Sequence, residues 1–134
     1  MSSFTLAHWC ILIAAMLPLA CAWLAKAPGM GRPVGQGGFD NAHPREWLAR
    51  QTGRQARANA AQANSFEGLP FFIGAVVVAL QLGAPTAWLN ALALAYVLLR
   101  VAFIAAYLAN RHVLRSTLWL LALAVNVGIL FIGW

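Results

Sequence analysis

Arg57, Asn64 and Glu67 bring a guanidinium, a carboxamide and a carboxylate onto one segment, at steps of seven and three residues. At about 100° per residue the three fall within an arc of about 80° on one helix face. The apolar run that follows, Gly68 to Leu82, has only 15 residues, and a membrane span needs about 20. The helix must therefore carry Asn64 and Glu67 into the bilayer to cross it. A carboxylate there costs at least ~2.5–3.5 kcal/mol, so something must offset it.

Arg100 is the second charge inside an apolar segment. With cytoplasmic boundaries near Ala58 and Leu108, Glu67 and Arg100 both lie roughly 12–14 Å deep. Opposite charges at equal depth are expected to pair, directly or through a ligand, because an isolated buried charge is the costly alternative. Arg100 also belongs to a stripe with Tyr96, Phe103, Tyr107 and Asn110/Arg111, spaced by threes and fours. Two helices thus offer facing polar stripes. One reading is a structural ion pair that fixes helix register. The other is a polar cleft for a zwitterion with excess negative charge, since arginine grips carboxylates bidentately and a carboxylate grips an ammonium. The lipid flank of such a cleft would admit an apolar second substrate.

The elements that position these residues are legible from hydropathy. Of 134 residues, 62% are hydrophobic and 9% charged, against ~45–50% apolar in soluble domains. The chain reads as a single all-α, integral membrane domain with spans at about 4–25, 58–82, 87–109 and 116–134. No Lys or Arg precedes the first run, so it reads as an uncleaved span rather than a signal peptide, with Pro18 a candidate kink. Cys10 and Cys21 have neither metal nor disulfide spacing and read as small hydrophobes.

The net charge of +6 invites nucleic acid, but position excludes it. Every basic residue except Arg100 lies in or beside the connections 26–57 and 110–115. That is the pattern of cytoplasmic loops, with both termini outside. No aromatic-and-basic module accompanies it. Lys26 to His43 is a Gly- and Pro-rich loop whose glycines do not spell a dinucleotide fingerprint; it reads as a mobile loop that could act as a flap. The second helix is expected to open at Pro44 and run to about Leu82. Gln55, Asn59 and Gln62 form a second polar stripe opposite the first, which favours an oligomer with this helix near its axis. Asn126, mid-span, is expected to hydrogen-bond across a helix interface. Trp119 and Trp134 read as interfacial aromatics.

The segment Arg57-x6-Asn64-x2-Glu67-x2-Pro70-Phe71 resembles the signature of the membrane-associated proteins in eicosanoid and glutathione metabolism (MAPEG), in a bacterial-type member. Arg100 with Tyr107 resembles that family's third-span Arg-x2-Tyr-x3-Tyr pattern. The likeness in span number, length and loop charge covers essentially the whole chain. It implies a four-helix bundle assembled as a homotrimer, with glutathione as co-substrate between subunits near the cytoplasmic face; the compact, alanine-rich chain suggests a bacterial inner membrane. It assigns glutathione binding to Arg57, Asn64, Glu67, Arg100 and Tyr107, and makes Arg115 the nearest candidate for stabilising the thiolate. No metal is implied. The chain departs from the pattern at Ala60, where many eukaryotic members have a second arginine, and at Phe103, where they have a tyrosine.

The implied function is glutathione-dependent transfer to lipophilic electrophiles, or reduction of lipophilic hydroperoxides. The first alternative is a non-catalytic membrane module whose Glu67–Arg100 pair serves assembly only. A small transporter ranks third, since no interrupted helix pair or inverted repeat is evident.

Overall fold

The computed structural model describes residues 3–134. Five α-helices carry the chain: α1 (Leu6–Lys26), α2 (Pro44–Ala49), α3 (Gly53–Gln81), α4 (Thr86–Leu108) and α5 (His112–Phe131). Among the described residues there is no strand. Helices α1, α3, α4 and α5 are each long and apolar enough to cross a membrane. They form an all-helical four-helix bundle in which α1 packs mainly on α3 and α4 mainly on α5, with α1–α4, α3–α4 and α3–α5 contacts closing it.

Local chemistry sets the helix ends. The exposed N–H groups of the first turn of α1 need acceptors. Thr5 N–H donates to His8 Nδ1 at 3.0 Å, and Ala7 N–H donates to Asn90 Oδ1 of α4 at 2.9 Å. Helices α3 and α4 end alike. Gly83 (φ 71°) and Asn110 (φ 58°) take the left-handed conformation, open to glycine and tolerated by asparagine. The next N–H then returns to the final turn: Ala84 to the Ala79 carbonyl at 2.9 Å, Arg111 to Ala106 at 2.8 Å. These closures stop each helix and reverse the chain without a long connection.

The α1–α3 seam is built from small side chains. Ala7, Cys10, Ala14, Cys21, Ala22 and Ala25 are buried on α1; Ala58, Ala61, Ser65, Ala75 and Ala79 are buried on α3. Small residues let backbones approach closely where lipid gives no hydrophobic drive for helices to associate. Both cysteines are free and buried, as small packing residues. Phe72 of α3 stacks on Tyr96 of α4, ring centroids 4.1 Å apart, and Leu89, Val76 and Ile129 complete the centre of the bundle.

Two expectations about the polar half of the second span change. It is not one helix from Pro44: α2 ends at Ala49 and α3 begins at Gly53 (φ 60°), a left-handed residue that turns the chain between them. The second polar stripe also finds protein within the same chain, because Gln55 Nε2 donates to the Ala25 carbonyl in the last turn of α1 at 3.1 Å. That flank does not by itself require a neighbouring subunit. Further along the same face, Gln62 Oε1 is buried with no hydrogen-bond partner among the described residues.

The Gly/Pro-rich connection folds back on α2. Phe39 N–H donates to the Gly29 carbonyl at 2.8 Å. The Trp47 indole N–H donates to the Gly37 carbonyl at 3.3 Å, and its ring packs edge-on against Phe39. Gly29 lies so close under the Trp47 ring that a β-carbon would collide with it.

Candidate functional site

Arg100 is the most buried charged side chain among the described residues, 4% exposed on α4. Its Nη2 donates to Asn64 Oδ1 at 2.9 Å and to Ser65 Oγ at 3.3 Å, both on α3. The guanidinium also lies over the Phe103 ring, 4.2 Å from its centroid. Asparagine and serine one residue apart reach the same donor because they flank the face of α3 that meets α4. Hydrogen bonds to the charged form, a stacked ring and the α3–α4 wall together hold the cation in the bundle.

The direct Glu67–Arg100 ion pair does not form. Among the described residues no carboxylate lies within ion-pair distance of Arg100; the one ion pair is His43–Asp40, in the connection before α2. Glu67 is exposed on the isolated chain. Both charges nevertheless line one cavity of about 250 Å³ with Asn64, Tyr96, Trp119 and Asn126. The charges share a space instead of a bond.

A second cavity, of about 410 Å³, is lined by Asn64, Phe103, Tyr107, Arg115, Ser116 and Trp119. Asn64 and Trp119 belong to both walls, so the two cavities adjoin. Arg115, at the start of α5, stacks its guanidinium over Tyr107, 4.3 Å from the ring centroid. Tyr107 in turn meets Phe103 edge-on at 5.6 Å. The bundle thus brings together Asn64, Glu67, Arg100, Tyr107 and Arg115 around two adjoining cavities between α3, α4 and α5.

Arg57 goes elsewhere. Its Nε donates to the carbonyl of Leu108, the last residue of α4, at 3.1 Å. A guanidinium suits that place, because the final carbonyls of a helix lack internal partners and carry its negative end. Arg57 lines neither cavity.

The sequence marks Tyr96 on the Arg100 stripe and assigns Trp119 and Asn126 other roles, while Gly68 in the wall and Ser65 beside Arg100 go unmarked. Tyr96 O–H points to the Gly68 carbonyl at 3.5 Å, and a β-carbon at Gly68 would come to 3.3 Å from that hydroxyl; glycine is what lets the tyrosine approach. Ser65 had only its place beside Asn64 to mark it. Trp119 reads from the sequence as an interfacial aromatic yet lines both cavities. Asn126 does not bond across a helix interface as expected: it is 3% exposed, and its Oδ1 has no partner among the described residues.

Chemically, the walls supply one carboxylate, two guanidinium groups and two carboxamides beside apolar and aromatic surface. They complement a zwitterionic molecule with excess negative charge, and Arg115 can stabilise an anion at the second cavity. No curated protein and no solved structure matches the chain. The sequence profile of the MAPEG family matches residues 6–133, nearly the whole described chain and all four long helices. The protein belongs to the MAPEG family.

Proposed function

We propose that this protein is a glutathione-dependent membrane enzyme acting on lipophilic electrophiles or hydroperoxides. The observation that carries the reading is the pair of adjoining cavities, with Glu67 and Arg100 in one, Arg115 in the other, and Asn64 shared. Their donors and acceptors fit glutathione. Glu67 receives its ammonium, Arg100 and Asn64 its carboxylate and amide groups, and Tyr107 a further hydrogen bond. Arg57 of α3 lines neither cavity; its part in this reading is the positive charge it holds beside the last carbonyl of α4.

Arg115 is the residue closest to chemistry in this scheme. A thiol with an ordinary pKa near ~8.5 is mostly protonated at pH 7. A guanidinium beside it favours the thiolate and so supplies the nucleophile. Sulfur then bonds to an electrophilic carbon as the leaving group or strained bond departs. With a hydroperoxide it attacks the distal oxygen, the O–O bond breaks and the alcohol leaves with a proton. The sulfur now carries the hydroxyl as a sulfenic acid; a second glutathione thiol attacks it, forming the disulfide as the hydroxyl leaves with the thiol proton as water.

The working unit in this reading is a homotrimer in an inner membrane, its glutathione sites facing the cytoplasm. An exposed Glu67 midway along a spanning helix supports a subunit covering it, since a carboxylate facing hydrocarbon is strongly disfavoured. The lipid-facing side of α5 admits the second substrate.

A second reading, a non-catalytic module, draws on a different observation. Arg100 is already engaged by Asn64, Ser65 and Phe103, as a structural residue would be. The two readings part on one experiment, thermal unfolding of the detergent-solubilised protein with increasing glutathione. The enzymatic reading expects a concentration-dependent rise in Tm, diminished in Glu67→Gln and Arg115→Ala. No rise at millimolar glutathione refutes it in favour of the module.

A further inference from the structure

The cavity that holds Glu67 and Arg100 has a wall that the proposed function leaves unused. On α5, Ala122, Asn126 and Ile129 recur at steps of four and three and are all buried, forming the seam that faces the bundle. Asn126 is the polar member of that seam. It is 3% exposed, it lines the cavity, and its Oδ1 has no hydrogen-bond partner among the described residues. A buried carbonyl left without a donor is disfavoured, and native structures rarely retain one without a ligand or water to meet it. In a membrane bundle a buried asparagine ordinarily finds a partner on another helix. Here the space beside it is a cavity instead.

The rest of that cavity says which donor fits. Glu67 offers a carboxylate and Arg100 a guanidinium in the same walls. Of the five N–H donors of that guanidinium, those on Nη2 serve Asn64 and Ser65, which leaves others to meet a ligand. A group with an ammonium and a carboxylate on one carbon complements all three residues at once. The ammonium has three N–H donors, enough for both Glu67 and Asn126.

We infer that Asn126 is a binding residue of this cavity, accepting a hydrogen bond from the ammonium of an α-amino-acid head group, and that it sets selectivity for ligands carrying that group. This rests on the proposed glutathione reading and assigns the γ-glutamyl end of the tripeptide to the cavity at Glu67, Arg100 and Asn126. The thiol then lies toward the adjoining cavity at Arg115, past the shared residues Asn64 and Trp119.

The test is calorimetric titration of the detergent-solubilised full-length protein with glutathione and with glutaryl-cysteinyl-glycine, which lacks only the ammonium. Wild type is expected to bind glutathione about a hundredfold more tightly than the analogue, because the ammonium makes charge-assisted contacts to both Glu67 and Asn126, each worth about tenfold. Asn126→Leu should weaken glutathione about tenfold and leave the analogue nearly unchanged. Asn126→Asp, which keeps the acceptor, should retain the preference. Equal loss for both ligands in Asn126→Leu, or no loss for either, overturns the inference and leaves the glutathione reading standing. Equal affinity of wild type for the two ligands overturns it even where Asn126→Leu does not fold. Wild type that binds neither ligand refutes the glutathione reading itself, and this inference with it.

Discussion

Arg100 Nη2 lies 2.9 Å from Asn64 Oδ1, joining the middle of α4 to the middle of α3. The contact neutralises no charge. It orients a buried cation through dipoles and leaves Glu67 in the same cavity without a direct counter-ion among the described residues. A site kept in that state has a carboxylate and a guanidinium both available to a ligand, which a closed ion pair would not.

Replacing Asn64 tests how much of the Arg100 environment this bond supplies. Asn64→Leu is expected to destabilise the fold by about 1.5–3 kcal/mol, the range for a hydrogen bond to a charged group. Asn64→Asp, which keeps an acceptor and adds opposite charge, should be no less stable than wild type. Thermal unfolding in detergent reads both, and equal stability of Asn64→Leu and wild type would contradict the assignment.

The close approach of Tyr96 to Gly68 predicts a coupling. A β-carbon at Gly68 would stand 3.3 Å from the Tyr96 hydroxyl, and Tyr96 cannot easily retreat because its ring is stacked on Phe72. Overpacking of this kind costs about 1–3 kcal/mol, against about 0.5–1 kcal/mol returned by replacing a glycine inside a helix with alanine. Gly68→Ala should therefore lower Tm, and adding Tyr96→Phe, which removes the opposing oxygen, should recover most of the loss. A double-mutant cycle with no coupling between the two changes would exclude the contact as the cause.

Arg115 predicts a spectroscopic pH shift. A guanidinium lowers the pKa of a neighbouring thiol, so thiolate absorbance of bound glutathione should develop below the ordinary value near ~8.5. In Arg115→Ala the midpoint should rise by about one unit or more toward that value, while Arg115→Lys should retain part of the effect. The same midpoint in all three proteins would remove Arg115 from the chemistry.

Asp40 predicts a local acid sensitivity outside the membrane. Burial alone pushes its carboxyl upward, but the backbone N–H of Ala42 and the side chain and backbone N–H of His43 outweigh that and hold it below its ordinary value. Because the folded pKa is depressed, the stabilisation is fully present above the unfolded value near ~3.9 and is lost as pH falls through the folded one. Hydrogen exchange of the Ala42 and His43 amides, corrected for intrinsic rates, should show protection falling across that window. Asp40→Asn keeps the acceptor without the titration, so its protection should not follow pH there.

The four spanning helices follow from runs of apolar residues whose lengths and boundaries are local properties of the chain. Gly83 and Asn110 close α3 and α4 for an equally local reason, their tolerance of positive φ. The chemistry-bearing residues were legible for the same cause: Asn64, Glu67 and Arg100 stand out because polar groups are expensive in a span, and Tyr107 falls on the Arg100 stripe. Which of them touch is another matter. Asn64 and Glu67 are one helical turn apart on α3, and equal depth does not say which meets Arg100. The rotation of α4 about its axis chose Asn64 and Ser65. Similar rotations sent Arg57 to the end of α4, turned Gln55 to α1 and set Asn126 in a cavity wall with its carbonyl unmet among the described residues. Sequence periodicity gives the angle between residues on one helix but not the angle between helices, and packing of side chains from several elements sets the latter.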